Sequence, residues 1–295
     1  MGKYTAIDDP SAYFQCELYT GNSSTNAITF SGNSDMKPDL VWQKRRDAGY
    51  YHRLWDSNRG VTKYLASNDS IAEATFGYVS SFDTDGITFG SSDQSVNVNG
   101  GSYVLWNWKA NGGTTSSNTD GSKTATVQAN QDAGFSIVTY AGSGSASTVG
   151  HGLADTPDVI IFKNRSAANV WATYHQGLGN NLKLELNGTG AQDADGSFMN
   201  GTLPTSSVFT VGASVNTNGS GSNYVAYCFA SKQGYSKFGK YTGNGNADGT
   251  FVYTGFKPAF VMFKRTNSSR SWVIIDNKRD TSNVASTRLF PDLAN

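Results

Sequence analysis

Apolar and polar residues alternate with a period of two along most of this chain, which is the pattern of β-strands. The segments Leu40–Lys44 and Tyr103–Trp108 both carry large apolar side chains at every second position. Turn-forming pairs such as Asp85-Gly86 and Asp195-Gly196 separate these runs at short intervals. Short strands that are separated so often predict an all-β fold built of antiparallel sandwiches.

The strand pattern occurs three times in the same register. The seven residues from Pro38 read PDLVWQK, those from Pro157 read PDVIIFK and those from Pro258 read PAFVMFK. A tyrosine with a glycine two residues later precedes each of them, at Tyr19, Tyr140 and Tyr241. A closing element with alternating aromatic residues, Asn99–Trp108, recurs as Gly219–Phe229 and has no third copy. We therefore predict tandem antiparallel β-sandwich modules of a jelly-roll-like kind, the third of them incomplete.

These matches divide the chain into a first repeat at 1–110, a polar linker at 111–133, a second repeat at 134–231 and a partial third repeat at 232–295. The linker is rich in Gly, Ser, Thr and Asn, so we expect a looser first junction and a rigid second one. The third repeat lacks a closing strand to cover its apolar residues. We expect residues beyond Asn295, or another chain, to cover them.

Composition excludes several classes of protein. Among 295 residues, 23 Lys+Arg balance 23 Asp+Glu, which argues against a nucleic-acid partner. The longest apolar runs, such as Val225–Ala230, are far shorter than the ~20 residues of a membrane-spanning helix, so we expect no membrane insertion. The N-terminus lacks the apolar stretch of a secretory signal, which predicts synthesis and folding in a cytosol.

The markers of catalysis and of cofactor binding are missing from the sequence. His52, His151 and His175 do not stand at metal-ligand spacing, so we predict no metal site and no cofactor. Asp83 and Asp85 are a carboxylate pair, but the first repeat alone carries them, and we interpret them as turn residues. We predict no catalytic residues and no enzymatic activity. The recurring Lys44, Lys163 and Lys264 are better explained by strand structure than by a ligand site.

Three aromatic residues are the candidates for ligand binding. Tyr50, Tyr51 and Trp55 follow a glycine and lie beside charged Arg45–Asp47, in what the pattern indicates is a loop or the start of a strand. Exposed rings of this kind bind ligands such as sugars. The other tryptophans, including Trp106 and Trp108, alternate within strands and are predicted to lie in the core.

Four further segments are distinctive: IDDPSAYFQ from Ile7, DSNRG from Asp56, YLASN from Tyr64 and IIDNKRD from Ile274. They resemble a repeat module of marine tailed-bacteriophage proteins, which are labelled as tail-fibre or virion structural proteins. The resemblance covers essentially the whole chain. It implies a virion protein without catalytic residues, in which the third copy usually continues to a closing strand.

The resulting expectation is a non-enzymatic virion structural protein, in the tail or associated with it, made in the host cytoplasm. Its expected partners are other virion proteins and further copies of itself, with a trimer favoured as in tail fibres, and a host-surface polysaccharide for attachment. Two alternatives stay open: a capsid decoration or head-fibre protein, and a carbohydrate-active or glycan-binding sandwich protein. The symmetry of the assembly distinguishes the first alternative from a tail fibre, because tail fibres are typically trimers and decoration proteins follow the capsid lattice. A pocket with two close carboxylates would favour the second alternative.

Overall fold

The computed structural model describes Thr5 and residues 7–295. The described residues form strands, turns and two short 3-10 helices, Pro10–Ala12 and Gln176–Leu178, with no α-helix among them. The prediction of an all-β fold is confirmed.

The first repeat contains two facing sheets. Its strands are β1 (Phe14–Thr20), β2 (Asn26–Thr29), β3 (Leu40–Arg45), β4 (Arg53–Asp56), β5 (Lys63–Tyr64), β6 (Ala74–Thr75), β7 (Val79–Asp83), β8 (Gly86–Phe89) and β9 (Ser102–Trp108). The inner sheet has the order β1-β9-β3-β4, the outer sheet has the order β2-β8-β7, and β5 pairs with β6. Val41, Trp55, Phe89 and Leu105 lie in the apolar layer between the two sheets.

The second repeat has the same two layers. Its strands are β10 (Ser116–Asn118), β11 (Ala125–Asn130), β12 (Phe135–Ala141), β13 (Ser147–Gly150), β14 (Val159–Asn164), β15 (Ala172–His175), β16 (Leu182–Glu185), β17 (Asp193–Ala194), β18 (Val208–Val211) and β19 (Asn223–Phe229). One sheet has the order β10-β11-β12-β19-β14-β15-β16-β17, and β13 pairs with β18. Ile160, Phe162, Phe209 and Tyr224 lie in the apolar layer between them.

The prediction of a loose polar linker at 111–133 is wrong. Strands β10 and β11 lie within this segment and extend the large sheet of the second repeat. Ala125 and Val127 point into the core of that repeat, and two inward positions are enough to hold a polar strand. The backbone N–H groups of Ala110 and Gly112 both donate to Asp39 Oδ2, at 2.7 and 2.8 Å, so the first junction is hydrogen-bonded and not free.

The third repeat is a two-stranded sheet of β20 (Phe260–Phe263) and β21 (Val273–Asp276). The prolines keep one place in all three repeats. Pro38, Pro157 and Pro258 each stand two residues before the first residue of β3, β14 and β20. There the missing N–H of proline removes nothing from a strand ladder.

The inner sheets of the first two repeats share one register. Strand β9 lies between β1 and β3, as β19 lies between β12 and β14. The same cross-strand pairs occur in both repeats. Thr20 pairs with Ser102 as Ala141 pairs with Asn223, and Leu40 pairs with Trp108 as Val159 pairs with Phe229. We call β9 and β19 the closing strands.

One apolar core is shared by all three repeats. It contains Trp106 of the first repeat, Tyr227 of the second repeat, and Trp272 and Ile274 of the third, all buried. The partly buried side chains of Trp108 and Phe229 pack against it. The inner apolar face of each repeat therefore packs against the inner faces of the other two repeats.

A ring of hydrogen bonds closes around this core. His52, Trp171 and Trp272 occupy the same place in the three repeats, 14 residues after the proline. Trp171 Nε1 donates to Ala66 O at 2.8 Å, and Trp272 Nε1 donates to Glu185 O at 2.9 Å.

The third bond of the ring is made by a histidine. His52 Nε2 lies 3.1 Å from Phe290 O, and His52 Nδ1 accepts from Trp42 Nε1, so Nε2 carries the proton and donates. The three acceptor carbonyls occupy equivalent places, because each belongs to the residue after a leucine that pairs with an equivalent strand. These leucines are Leu65, which pairs with β4, Leu184, which pairs with β15, and Leu289, which pairs with β21. The second repeat thus donates to the first, the third to the second, and the first to the third.

The expectation that no part of this chain covers the inner apolar residues of the third repeat is wrong. Trp272 and Ile274 are buried in the shared core. The ring of Phe260 lies 5.6 Å from that of Trp108 and 5.9 Å from that of Trp106. Sequence periodicity shows which face of a strand is apolar, but it does not show that three such faces meet.

Candidate functional site

The three aromatic residues proposed as ligand contacts lie in three different environments. Trp55 is 0% exposed and packs edge-on against Tyr78 and Phe89, so its prediction as an exposed ligand-binding residue is wrong. The reason is that Trp55 is not in a loop: it lies in β4 opposite Val41, on the face that the outer sheet covers. Tyr50 is half-buried, and the guanidinium carbon of Arg45 lies 5.0 Å from the centre of its ring.

Tyr51 is 40% exposed and belongs to a cluster around one cation. The guanidinium carbon of Arg53 lies 5.6 Å from the ring centre of Tyr51, 4.7 Å from that of Tyr64 and 5.7 Å from that of Tyr78. The exposed ring of Phe76 lies 4.4 Å from that of Tyr78. We name these five residues, Tyr51, Arg53, Tyr64, Phe76 and Tyr78, the Arg53 patch.

The short strands of the first repeat assemble this patch. Arg53 opens β4, Tyr64 ends β5, and Phe76 and Tyr78 follow β6, which pairs with β5. Phe76 N donates to Thr62 O at 2.9 Å, which continues the β5–β6 pair and places its ring on the same side as Tyr78. The patch is therefore built on paired backbone.

The polar side chain that the patch exposes is that of Tyr51, whereas two nitrogens of Arg53 lie below the surface. Nε and Nη1 of Arg53 are buried and have no acceptor among the described residues. A hydrogen bond to Asp69, together with the charge of that carboxylate, raises the pKa of Tyr51, so its phenol is protonated at neutral pH. Ring faces stack on the apolar faces of sugars or other flat groups, and Asp69 and Tyr51 offer hydrogen bonds beside them.

A family model described as a domain of unknown function, DUF7483, matches residues 9–295. The chain belongs to the DUF7483 family. No curated protein and no solved structure matches the chain. What can be said of the chemistry of this DUF7483 protein therefore comes from its own residues.

The recurring lysines of this DUF7483 chain bind backbone carbonyls. Lys163 Nζ donates to Ser70, Asn164 and Asn169, all within 3.1 Å, and Lys264 Nζ donates to Thr189 at 3.0 Å. Burial lowers the pKa of Lys163 to about 8. The bonds from Lys163 to Ser70 and from Lys264 to Thr189 join neighbouring repeats, because Ser70 belongs to the first repeat and Thr189 to the second.

The polar residues singled out in the sequence have structural partners here. Asp83 accepts from Thr88 Oγ1 at 2.7 Å, within its own hairpin, and Asp85 accepts from Met36 N at 3.1 Å, in the loop between β2 and β3. In the part of the chain that the structure describes, no three His, Cys, Asp or Glu side chains are grouped to hold a metal ion. The same part contains no helix that is long and apolar enough to cross a membrane.

The sequence pattern predicted one member of the Arg53 patch, Tyr51, and gave no prediction for the other four. Arg53, Tyr64 and Tyr78 surround each other only because β4, β5 and the segment after β6 fold together. The pattern Phe76-Gly77-Tyr78, two aromatic residues flanking a glycine, was a local signal that could have pointed to them.

Proposed function

We propose that this chain is a non-enzymatic structural protein of a tailed-bacteriophage virion. The observation that carries the proposal is the closed ring of hydrogen bonds that His52, Trp171 and Trp272 donate across the repeat boundaries. A repeat bonded to both neighbours cannot unfold without breaking buried contacts in the others, which suits a particle protein that persists outside the cell. The resemblance to a phage repeat module supports the same function.

The proposed location is the tail, and a capsid decoration or head-fibre protein is the alternative. The test is immunogold electron microscopy of particles of a phage that encodes the chain, with non-immune antibody as the control. Label on the tail is expected, and label on the head favours the alternative. Particles without label, whose tryptic digest also lacks peptides of the chain, would contradict the proposal.

The proposed partners are other virion proteins and further copies of the chain, with a homotrimer favoured. Light scattering on the purified chain distinguishes a monomer of 31.5 kDa from an assembly of three times that mass. A monomer at micromolar concentration would contradict the trimer, and the proposed place in the virion would still be tested by the particle labelling.

The Arg53 patch supports a second, compatible role in attachment to a host-surface glycan. The supporting observation is that two exposed rings, Tyr51 and Phe76, lie side by side with the buried Arg53–Tyr78 contact. Exposed aromatic rings held on a packed base are typical of a binding surface.

Binding is tested by titrating the chain with the surface polysaccharide of the host bacterium. Because a ring contact is worth about 1–1.5 kcal/mol, Phe76→Ala and Tyr51→Ala are each expected to weaken binding by about 10-fold. The matched control is Phe251→Ala, which removes another exposed ring outside the patch. Equal binding by all variants would contradict the role of the patch, and release of new reducing ends would show a carbohydrate-active enzyme instead.

A further inference from the structure

The junction between the first and third repeats differs from the other two junctions in its hydrogen-bond donor. Trp171 and Trp272 donate from an indole that does not titrate in water, whereas His52 donates from an imidazole that does. The first and third repeats are also not consecutive along the chain, so no short linker holds this pair together. The titratable donor therefore lies at the junction that can open while every repeat keeps its connection to the next.

The closed junction requires a neutral His52. Trp42 Nε1 donates to His52 Nδ1 at 2.9 Å, so the free lone pair of the ring is already occupied. A second ring proton would make Nδ1 a donor that faces the N–H of Trp42. The ring can therefore take up a proton only after it has turned away from Trp42.

The cations near the ring also act against a second proton. Lys44 lies on β3 and Arg279 follows β21 in the third repeat. Burial, which is the largest cause, and the positive charges of these two side chains lower the pKa of His52 well below 6.5. The geometry of the bond to Trp42 and the local charge thus favour the same neutral form.

The carboxylates of the surrounding elements have other partners. Asp276 pairs with Arg279 at 2.6 Å, and Asp292 accepts from a backbone N–H at 2.9 Å. Asp69, in the loop after β5, is hydrogen-bonded to a tyrosine. Among the described residues no carboxylate is bonded to either ring nitrogen of His52, so none stabilises a charge on the ring.

The third repeat covers the ring of His52. Within the first repeat, the ring stacks on Trp106 at a centroid distance of 6.3 Å and lies edge-on to Trp42 at 5.9 Å. The segment Phe290–Pro291 of the third repeat accepts the bond from Nε2, and Ser67 Oγ donates to Pro291 O at 2.9 Å. His52 is fully buried as a result. The ring nitrogens therefore reach water only when this segment leaves the first repeat.

We propose that His52 is an acid-operated clasp between the first and third repeats. When the segment Phe290–Pro291 moves away, the ring turns from Trp42 into water and binds a proton, which holds the junction open while each repeat stays folded. In water this ring titrates near pH 6.5. Below that pH the open form binds one proton more than the closed form, so its population rises about 10-fold for each unit of pH. This inference goes beyond the proposed function, which needs only the closed form.

The two native cysteines report on the opening. Cys16 lies in the shared core, where it is hydrogen-bonded to Asp276 of the third repeat, so opening of the clasp exposes it. Cys228 lies in the apolar layer between the two sheets of the second repeat, which the clasp does not touch. The two thiols therefore distinguish opening of the junction from unfolding of the whole chain.

The experiment labels the purified chain with a pyridyl disulfide between pH 5 and 7 and measures each cysteine by mass spectrometry of its tryptic peptide. Rates are divided by that of free cysteine with the same reagent at the same pH. From pH 6.5 to 5 the rate at Cys16 is expected to rise about 10-fold per unit, while Cys228 stays closed to the reagent. No rise at Cys16, or an equal rise at both cysteines, would overturn the proposal.

A histidine variant tests whether His52 is the group that titrates. The amide of His52→Gln can accept from Trp42 and donate to Phe290 O without binding a proton, so its labelling at Cys16 is expected to be independent of pH. His151→Gln is the matched control, because buried His151 has the same two kinds of bond, to Leu153 N and Thr205 O, within the second repeat. This control is expected to keep the pH dependence of the original chain. The same dependence in His52→Gln would overturn the proposal.

A second variant keeps the histidine and changes its partner. Trp42→Phe removes the N–H that occupies Nδ1, so the closed form takes up a proton more readily and the difference in proton binding between the two forms shrinks. The rise in Cys16 labelling with falling pH is expected to be shallower than in the original chain. An unchanged slope would contradict the role of the bond between Trp42 and His52.

Discussion

Trp106, on the closing strand of the first repeat, donates from Nε1 to Oδ2 of Asp276 in the third repeat, at 3.0 Å. Asp276 is also paired with Arg279 Nε at 2.6 Å, and both side chains are buried. The equivalent residue of the second closing strand, Tyr227, donates to Asp56 Oδ2 at 2.6 Å, and Asp56 is paired with a buried arginine in the same way. Each closing strand therefore completes the hydrogen bonding of an ion pair in another repeat.

Removing the carboxylate of this pair is expected to be costly. Asp276→Asn leaves the buried charge of Arg279 without its partner, so the free energy of unfolding is expected to fall by about 3–5 kcal/mol in urea titrations. The control is Asp248→Asn at an exposed position, with an expected change under about 0.5 kcal/mol. A loss at Asp276 as small as that of the control would contradict a structural role for the pair.

The double variant Asp276→His with Arg279→Leu copies the residues that the second repeat has at these places, His175 and Leu178. It removes both charges, so its loss of stability is expected to be smaller than that of Asp276→Asn alone. A larger loss would mean that the contacts of the pair with the backbone matter more than the balance of its charges.

The hydrogen bonds of the ring are tested by comparing two buried tryptophans. Trp171→Phe leaves Ala66 O buried without its donor and is expected to lower the free energy of unfolding by about 1–3 kcal/mol beyond the loss of ring volume. Trp55→Phe removes an indole N–H that has no acceptor among the described residues, so it controls for volume alone. Similar losses in both variants, measured by urea unfolding, would contradict a stabilising role of the ring.

Acid is expected to destabilise the fold through His52. Burial, followed by the charge of Lys44, lowers the pKa of His52 well below 6.5, so below about pH 6.5 the unfolded chain binds a proton that the folded chain does not. Stability should therefore fall with decreasing pH, by about 1.4 kcal/mol per unit from this residue.

The matched variant for this effect is Trp42→Ile with His52→Trp, which installs the equivalent residues of the second repeat, Ile161 and Trp171. Urea unfolding between pH 5 and 7 is expected to give it a shallower slope than the original chain. The carboxylates titrate in both proteins, so they affect both in the same way and the difference reports His52. Equal slopes of unfolding free energy against pH would show that His52 contributes nothing to acid sensitivity.

The two cysteines are expected to react only after unfolding. Cys16 and Cys228 are buried, and burial raises the pKa of Cys228 to about 12, so it is a thiol at neutral pH. Labelling with a thiol-specific chromogenic disulfide reagent should follow the unfolding rate measured by fluorescence. Rapid labelling of the folded chain would contradict the burial of both side chains.

Local pattern determined much of this protein. The alternation of apolar residues and the prolines at Pro38, Pro157 and Pro258 predicted the places of β3, β14 and β20, because strand period and proline geometry act within a few residues. The same pattern placed Trp106 and Tyr227 in a core. It failed at Trp55, whose neighbouring glycine and charges suggested a loop although the residue faces a second sheet.

Only the tertiary structure decided how the repeats meet. The bonds from Trp272 to Glu185 and from Trp106 to Asp276 join residues 87 and 170 positions apart, and no period in the sequence encodes which repeat faces which. The Arg53 patch likewise arises from strands that pair at a distance. Sequence alone determined the strands and their repetition, because these follow from neighbouring residues. The shared core and the exposed surface were decided by burial, which depends on segments that come together only in the folded chain.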